Sequence, residues 1–251
     1  MPSVHILGRI ALAALIAIPV SADHSRRTGF DGYPRTTLWA WETPSSFLDI
    51  DPQRFAVAYL DQTIFVEDGI HVILRRQPLA IAPHTRLIAV SRIEAHPGVA
   101  DLSDPALPEK LAGIIADSLT RRGADAIQVD FDARQSQRNF YSSVLTALRR
   151  QLPAQVPLSI TALASWCAYD DWIGDLPVDE AVPMYFRMGP DHPASETPGW
   201  KYPVREPLCR TRAGVSTDEA WPTLEAGSRL YVFHRGSWNA VALSNLEREL
   251  P

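Results

Sequence analysis

The chain contains few of the residues that usually indicate a metal or a cofactor. It has only two cysteines, Cys167 and Cys209, and because neither is near a histidine pair they do not predict a zinc site. It has no glycine-rich phosphate loop, no nucleophile elbow and no His-Glu-x-x-His motif. The formal net charge is -5, which argues against nucleic acid or an anionic membrane as the main partner. We therefore predict no metal site, no cofactor and no nucleic-acid partner.

Long hydrophobic runs are absent from the body of the chain, but the N-terminus carries one. Residues 10–20 are apolar, Arg9 precedes them, and small residues follow up to Ala22. This pattern is typical of a secretory signal peptide, and an uncleaved anchor helix is the alternative. We predict the following division: a signal peptide over 1–22, an N-terminal extension over 23–36 and a single domain over 37–251.

Export has two further consequences. The mature protein would be periplasmic or secreted, with no stable membrane insertion after cleavage, because no stretch of about 20 apolar residues follows the signal peptide. In such an oxidising compartment Cys167 and Cys209 could form one disulfide, although sequence spacing does not decide whether they meet. The sequence indicates no oligomeric state.

Eight short apolar segments, rich in β-branched and aromatic residues, predict strands. They cover residues 37–42, 55–61, 86–91, 126–132, 157–163, 181–187, 210–216 and 228–234. Apolar residues at helical spacing predict helices over 105–122, 136–152 and 239–250. The segment 64–82 predicts a β-hairpin excursion after the second strand, with its turn at Asp68-Gly69.

Alternating strands and helices predict a parallel sheet. Eight strands within residues 37–251 favour an α/β fold of the (β/α)8 TIM barrel type. The alternative is an open doubly wound sheet, which usually has a glycine-rich turn after its first strand. Here the first strand leads into Trp39-Ala-Trp-Glu-Thr-Pro44, which contains no glycine, so the barrel is preferred.

One predicted strand carries two acids toward the interior. In Asp125-Ala-Ile-Gln-Val-Asp-Phe-Asp132 the apolar residues share one face and the polar residues share the other, because strand side chains alternate. The polar face consists of Gln128, Asp130 and Asp132. Buried acids are costly unless they have a partner or a use. Asp130 and Asp132 are therefore the first candidates for catalysis, and an internal salt bridge with Arg134 or Arg187 is the alternative.

Polar residues also end the other predicted strands, at the edge where a barrel holds its active site. Several tryptophans lie near the same edge, and a sugar is bound by stacking on aromatic rings and by hydrogen bonds to carboxylates. We therefore predict a carbohydrate ligand. The predicted substrate-binding residues are Glu42, Asp61, Gln128, Arg187, His234 and Trp238, and Tyr185 joins the two aspartates as a candidate catalytic residue.

Hydrolysis by two protein carboxylates places their oxygens about 5 to 9.5 Å apart across the sugar. Neighbours on one strand seldom flank a glycosidic bond. The second group would come from another strand, with Glu42, Asp61 and Asp218 as candidates, or from the substrate itself. For Asp218 and Glu219, however, we prefer a structural interpretation, in which they begin a helix after the seventh strand.

The segment ending at Asp132 resembles the D-G-x-D-x-D-x-E signature of the chitinase-like glycoside hydrolases of family 18. Those proteins are (β/α)8 barrels that use substrate-assisted hydrolysis. The resemblance implies that Asp132 is the general acid and that Asp130 orients the substrate's acetamido group. Gln128 replaces the first aspartate of the motif, and Asp132 is shorter than the family's Glu. This sets the proton donor back by about 1.5 Å, and misplacement on that scale can cost about a hundredfold in rate.

Two further features resemble family 18. Met184-Tyr185 is similar to its Met-x-Tyr region, and Trp238 resembles its platform tryptophan. A resemblance over more of the chain is to a bacterial family known as domain of unknown function 3142. The segments that carry it are Thr37-Leu-Trp-Ala-Trp-Glu, Ile127-Gln-Val-Asp-Phe-Asp-Ala-Arg134, Leu158-Ser-Ile-Thr-Ala-Leu, Ser165-Trp-Cys, Val182-Pro-Met-Tyr-Phe-Arg-Met-Gly189 and Gly214-Val-Ser-Thr-Asp-Glu219.

These resemblances imply a glycosidase-like barrel. The first functional hypothesis is an exported glycoside hydrolase-like protein that acts on a polysaccharide or a cell-envelope glycan. A non-catalytic glycan-binding barrel and a structural envelope protein are the alternatives.

Overall fold

The computed structural model describes residues 29–96, 98, 101–186 and 203–250. The strands are β1 (Thr36–Ala40), β2 (Ser45–Phe47), β3 (Phe55–Val66), β4 (Ile70–Leu74), β5 (Leu79–Ile81), β6 (Leu87–Glu94), β7 (Ala126–Asp130), β8 (Leu158–Leu163), β9 (Glu180–Met184), β10 (Arg212–Ser216) and β11 (Arg229–Phe233). The helices are α1 (Leu107–Ala116), α2 (Ser118–Arg121), α3 (Arg138–Gln151), α4 (Ala164–Ala168) and α5 (Ala240–Glu249), with single 3-10 turns over Gln135–Gln137 and Pro207–Cys209.

Eight of the strands close into a parallel barrel. Their hydrogen-bonded order is β1, β11, β10, β9, β8, β7, β6 and β3, and β1 also pairs with β3, so the ring is complete. Every pairing around the ring is parallel. The closed ring confirms the predicted (β/α)8 barrel, with all eight predicted strands present, and excludes the open doubly wound sheet.

Alternation along the strands divides their side chains between the interior and the surrounding helices. Trp39, Met184 and Phe233 belong to a buried cluster built from six of the eight barrel strands, β1, β3, β6, β7, β9 and β11. Ile127 and Val129 pack on the opposite face, in a cluster with residues of α1 and α3. The same alternation turns Gln128 and Asp130 of β7 inward, as predicted.

The helix predicted over 105–122 is two helices, α1 and α2. The hydroxyl of Ser118 donates to the carbonyl oxygen of Ile115 (2.6 Å), and such side-chain bonds compete with the backbone bonds of a continuing helix. Gly123, with φ of 64°, ends the pair in the left-handed region. At the C-terminal helix α5, the side chain of Asn239 accepts from the amides of Val241 and Ala242 and caps the first turn.

The hairpin prediction is confirmed. β3 continues to Val66 and pairs with β4 in antiparallel register, and the turn contains Asp68-Gly69, with the amide of Glu67 donating to the carbonyl of Gly69 (3.0 Å). The chain then returns through β5, which pairs with β2. The excursion therefore lies beside the barrel sheet as an added edge.

The helix expected to begin at Asp218 and Glu219 does not form. Residues 217–228 connect β10 to β11 by turns and irregular backbone. Acids suit the first turn of a helix, but they also suit turns, and no run of apolar residues at helical spacing follows them. The prediction for Asp218 and Glu219 is therefore wrong, and both residues instead line the mouth of the barrel.

Cys167 and Cys209 form a disulfide, with Cα atoms 5.9 Å apart. It joins α4, which follows β8, to the 3-10 turn that precedes β10. Among the described residues, no helix combines the length and the apolar character that a bilayer crossing needs. The predicted signal peptide, residues 1–22, lies outside the described residues.

Candidate functional site

A pocket of about 280 Å³ lies at the carboxyl ends of the barrel strands, where the sequence predicts the site. We call it the mouth pocket. Its apolar lining consists of Trp41, Met184, Phe186 and Phe233, and its polar lining consists of Arg92, Asp130, Asp132, Ser216, Asp218, Glu219 and Arg235. The volume is near the lower limit of small-molecule sites, roughly 300 Å³, so the pocket can enclose a short portion of a longer ligand.

Asp130 is the buried acid of the mouth pocket. It ends β7, and its side chain is 8% exposed. The hydroxyl of Thr161 donates to its Oδ1 (2.6 Å), and the guanidinium of Arg92 lies 3.7 Å from its Oδ2. Burial raises the pKa of Asp130, although the charge of Arg92 and the bond from Thr161 act in the opposite direction. Asp130 therefore holds a proton more readily than an ordinary aspartate.

Arg92 links this acid to the aromatic lining. Its Nε donates to Oε1 of Glu94 (2.6 Å), and its guanidinium carbon lies 5.7 Å from the ring centre of Trp41, a cation–π distance. The guanidinium therefore has three partners, Asp130, Glu94 and Trp41. The positive charge beside Asp130 is thus a fixed part of the site.

Asp132 lies two residues beyond Asp130, where β7 has ended. Its side chain is exposed, and it lines both the mouth pocket and an adjoining cavity of about 150 Å³, the side pocket. Glu94, His96 and Arg134 also line the side pocket. The two aspartates predicted to be catalytic therefore share one pocket and differ in burial.

Aromatic rings form the apolar wall of the mouth pocket. Phe233 stacks on Trp39 with ring centres 4.8 Å apart, and Trp41 meets Trp39 edge-on at 4.4 Å. Phe186 lies 4.7 Å from Phe233. Trp39 is fully buried, whereas Trp41 keeps part of its surface exposed and reaches the pocket. Both tryptophans face the barrel interior and do not pack against the outer helices.

The loop after β10 supplies the acids on another side of the pocket. Asp218 accepts a hydrogen bond from the hydroxyl of Ser216, and its Oδ2 lies 3.1 Å from Nε of Arg235. Glu219 lines the same pocket. Because β8 and β9 separate β7 from β10, these acids approach a ligand from a different wall than Asp130 does.

Gln128 lies deeper than the mouth pocket and is fully buried. It accepts from the indole of Trp39 (2.8 Å) and donates to Ser159 (3.0 Å). Ser159 donates in turn to Glu180 (3.2 Å), which also accepts from the hydroxyl of Tyr231. This chain fills the barrel below the aromatic wall, so Gln128 acts on the position of Trp39.

Glu42, Asp61 and Tyr185 are predicted site residues that also lie outside the lining of the mouth pocket. Glu42 accepts from the backbone amides of Arg76 and Gln77 (2.7 and 3.0 Å) and so holds the chain that returns from the hairpin. Asp61 is buried in an ion pair with Arg121 (2.6 Å). Tyr185 packs against the outer hydrophobic cluster that contains Trp238, and burial raises the pKa of its hydroxyl to about 12.

His234 and Trp238 contact each other outside the lining of the mouth pocket. Their rings lie 4.9 Å apart, Nδ1 of His234 lies 2.8 Å from the hydroxyl of Thr217, and burial lowers the pKa of His234. Trp238 is 1% exposed, and its indole donates to the carbonyl of Trp39 (3.0 Å). Arg187 lies outside the described residues.

The sequence assigned no site role to several residues of the mouth pocket, among them Arg92, Phe186, Phe233 and Arg235. Their positions at or just after strand ends are a usable signal, but strand ends also carry many residues that face outward. The hairpin, residues 64–82, contributes nothing to the lining. Among the described residues, no group of three or more His, Cys, Asp or Glu side chains could hold a metal ion.

Comparison with solved structures finds similar proteins at low identity. No family model matches the chain, and no curated protein matches it. The chitinase domain of the spore coat protein CotE from Clostridium difficile is similar at 13% identity and a TM-score of 0.46, over 86% of this chain and 67% of that one. The spore cortex-lytic enzyme SleL from Bacillus cereus is similar at 19% identity and a TM-score of 0.41, over 61% of this chain and 42% of that one. Because these identities and TM-scores are low, the assignment of the barrel rests on the strand order and not on the two similar structures.

Proposed function

We propose that the mouth pocket binds a polysaccharide or a cell-envelope glycan and that the protein hydrolyses its glycosidic bonds. The observation that carries this proposal is the composition of the pocket, in which acids from two walls face an aromatic wall at the active-site end of a (β/α)8 barrel. Aromatic rings stack on the apolar faces of sugars, and carboxylates accept hydrogen bonds from their hydroxyls.

The proposed chemistry uses Asp132 as proton donor and Asp130 as the residue that orients the substrate, the roles that the resemblance to family 18 implies. Asp130 has a fixed position, because Thr161 and Arg92 hold its two oxygens. Asp132 is at the more open end of the pocket, where a glycosidic oxygen can reach it. Trp41 takes the place expected of Trp238 as the ring on which a sugar stacks.

Export belongs to the same proposal. The apolar N-terminal run supports a signal peptide, and the disulfide between Cys167 and Cys209 suits an oxidising compartment. Membership of the family known as domain of unknown function 3142 is likewise proposed, on the segments that resemble it.

Hydrolysis is tested with a panel of β-linked glycans, by measuring the reducing ends released by the wild type and by Asp132→Asn. We expect the variant to lose about 100-fold or more of kcat, the usual contribution of a general acid. Asp68→Asn, an exposed acid of the hairpin turn, is the matched control and should retain full activity. Equal activity in wild type and Asp132→Asn would remove Asp132 from the mechanism.

A non-catalytic glycan-binding protein is the second candidate, and one observation favours it. The position of the proton donor holds the shorter Asp132, whose side chain is exposed, whereas general acids gain their proton affinity from enclosure. This function predicts a glycan-dependent rise in Tm that is equal in wild type and Asp132→Asn, with no reducing ends released by either protein.

A further inference from the structure

Asp218 is the candidate for the second carboxylate that hydrolysis by two protein carboxylates requires. Of the three acids that the sequence offers, Glu42 is bound to the backbone of the returning hairpin and Asp61 is buried against Arg121. Asp218 lines the mouth pocket together with Asp132. Of these three acids, Asp218 is therefore the one that can contact the same sugar as Asp132, the proposed proton donor.

Asp218 is held in place and remains in contact with solvent. The hydroxyl of Ser216 and Nε of Arg235 fix its carboxylate, and its side chain is 41% exposed. A carboxylate with a defined position that water can reach is placed as a general base must be.

The side of the pocket on which Asp218 lies also suits a general base. Two strands, β8 and β9, separate β10 from β7 in the ring, so Asp218 and Asp132 enter the pocket from different sides. Inverting glycosidases need this arrangement, because the acid acts on the leaving oxygen while the base activates a water on the opposite face of the sugar.

Resting on the proposed hydrolysis with Asp132 as proton donor, but with a protein carboxylate in place of assistance by the substrate's acetamido group, we infer that Asp218 is the general base of a direct, inverting hydrolysis and that the substrates include glycans without a 2-acetamido group. Asp218 takes a proton from water while the water oxygen bonds to the anomeric carbon. Asp132 gives its proton to the glycosidic oxygen as the bond from carbon to that oxygen breaks. One water is consumed, and solvent returns the proton from Asp218 to Asp132.

Which sugars can be cleaved depends on whether the second reacting group belongs to the substrate or to the protein. In substrate-assisted hydrolysis the acetamido oxygen of the sugar itself attacks, so a sugar without that group is not cleaved. Where the protein supplies the second carboxylate, the substituent at carbon 2 is not required for the reaction. The stereochemistry differs as well, because attack by water inverts the anomeric carbon and assistance by the substrate retains its configuration.

The experiment uses matched tetrasaccharides, β-1,4-linked and β-1,3-linked, built from glucose or from N-acetylglucosamine. Proton NMR of the first product formed reports its anomeric configuration. We expect the wild type to cleave a glucose tetramer with inversion, and Asp218→Asn to lower kcat about 100-fold or more with its Tm unchanged. Asp68→Asn should match the wild type.

Cleavage confined to the N-acetylglucosamine tetramers, or retention of configuration, would overturn the role of Asp218 while leaving the proposed hydrolase intact. Full activity of Asp218→Asn would do the same. Release of no product from any of the tetramers by the wild type would instead reject hydrolysis of these β-linked glycans, and the inference with it.

Discussion

Two aspartates that are two residues apart have different physical environments. Asp130 is enclosed by the barrel, with Thr161 and Arg92 at its oxygens, whereas the side chain of Asp132 is exposed at the mouth. A buried carboxyl favours its neutral form because the charged form loses its hydration. Any role of Asp130 in the site therefore has a cost for the stability of the folded protein near neutral pH.

This cost predicts a pH-dependent effect of Asp130→Asn. The pKa of Asp130 is raised in the folded state, so its neutral carboxyl stabilises the protein fully below the ordinary aspartate pKa of about 3.9, and the contribution is lost as pH rises through the folded value. We expect Asp130→Asn to have a higher Tm than the wild type at pH 7 and a smaller difference at pH 4. A Tm difference that is the same at both pH values would contradict this expectation, and Asp68→Asn should show no such trend.

At the scale of the element, the strands β9, β10 and β11 are joined below the pocket by one buried acid. Glu180 of β9 is fully buried, with Arg212 and Arg229 within 3.3 and 3.7 Å of its Oε2. Burial raises the pKa of Glu180, and Tyr231 and the two arginines act against that shift. The acid thus pairs with donors from β8, β10 and β11. Through Ser159, it also supports the series of hydrogen bonds that ends at Trp39.

Removing this acid is expected to destabilise the barrel. Glu180→Ala leaves buried donors and two partly buried arginines without their shared partner, and breaking a buried ion pair in this way costs about 3–5 kcal/mol. Urea denaturation followed by circular dichroism would measure the change in the free energy of unfolding. The control is Glu249→Ala, which truncates an exposed acid at the end of α5 and should change that free energy by less than about 0.5 kcal/mol. A similar value for both variants would argue against a stabilising role for Glu180.

For the whole molecule, the disulfide between Cys167 and Cys209 is the long-range covalent link. It spans 42 positions in the sequence, and both half-cystines are buried in the main hydrophobic cluster. The closed segment includes β9, which carries Glu180 and leads to Met184 in the pocket lining. The link therefore limits how far this part of the barrel can unfold independently.

Loss of the disulfide should lower the stability of the entire domain. A cross-link of this kind contributes about 2–4 kcal/mol, largely by restricting the unfolded chain. We expect thermal melts of the wild type to shift to lower temperature in dithiothreitol, while the double variant Cys167→Ala/Cys209→Ala melts at that lower temperature with or without the reductant. An unchanged melt of the wild type, with both thiols titrated as reduced, would show that the link is not stabilising.

The sequence predicted the barrel because local patterns carry the necessary information. Alternation in β7 separates Ile127 and Val129 from Gln128 and Asp130, and the same period holds in the structure. The site was predicted less completely. Glu42, Asp61 and Tyr185 end predicted strands, yet the first two are held by partners in the returning hairpin and α2, and the third faces outward. These partners are distant in sequence, so no local pattern reveals them.

By itself, the sequence determined which strands form, which of their side chains face inward and at which end of the barrel the polar residues accumulate. All three follow from the alternation of apolar and polar residues along a strand. This alternation is a property of each strand's own sequence and does not depend on the other strands. Only the tertiary structure decided that Asp218 shares a pocket with Asp132, that Asp130 is enclosed and that Cys167 meets Cys209. Those outcomes depend on the register between strands and on the paths of loops beyond the strand ends, where no residue period constrains the chain.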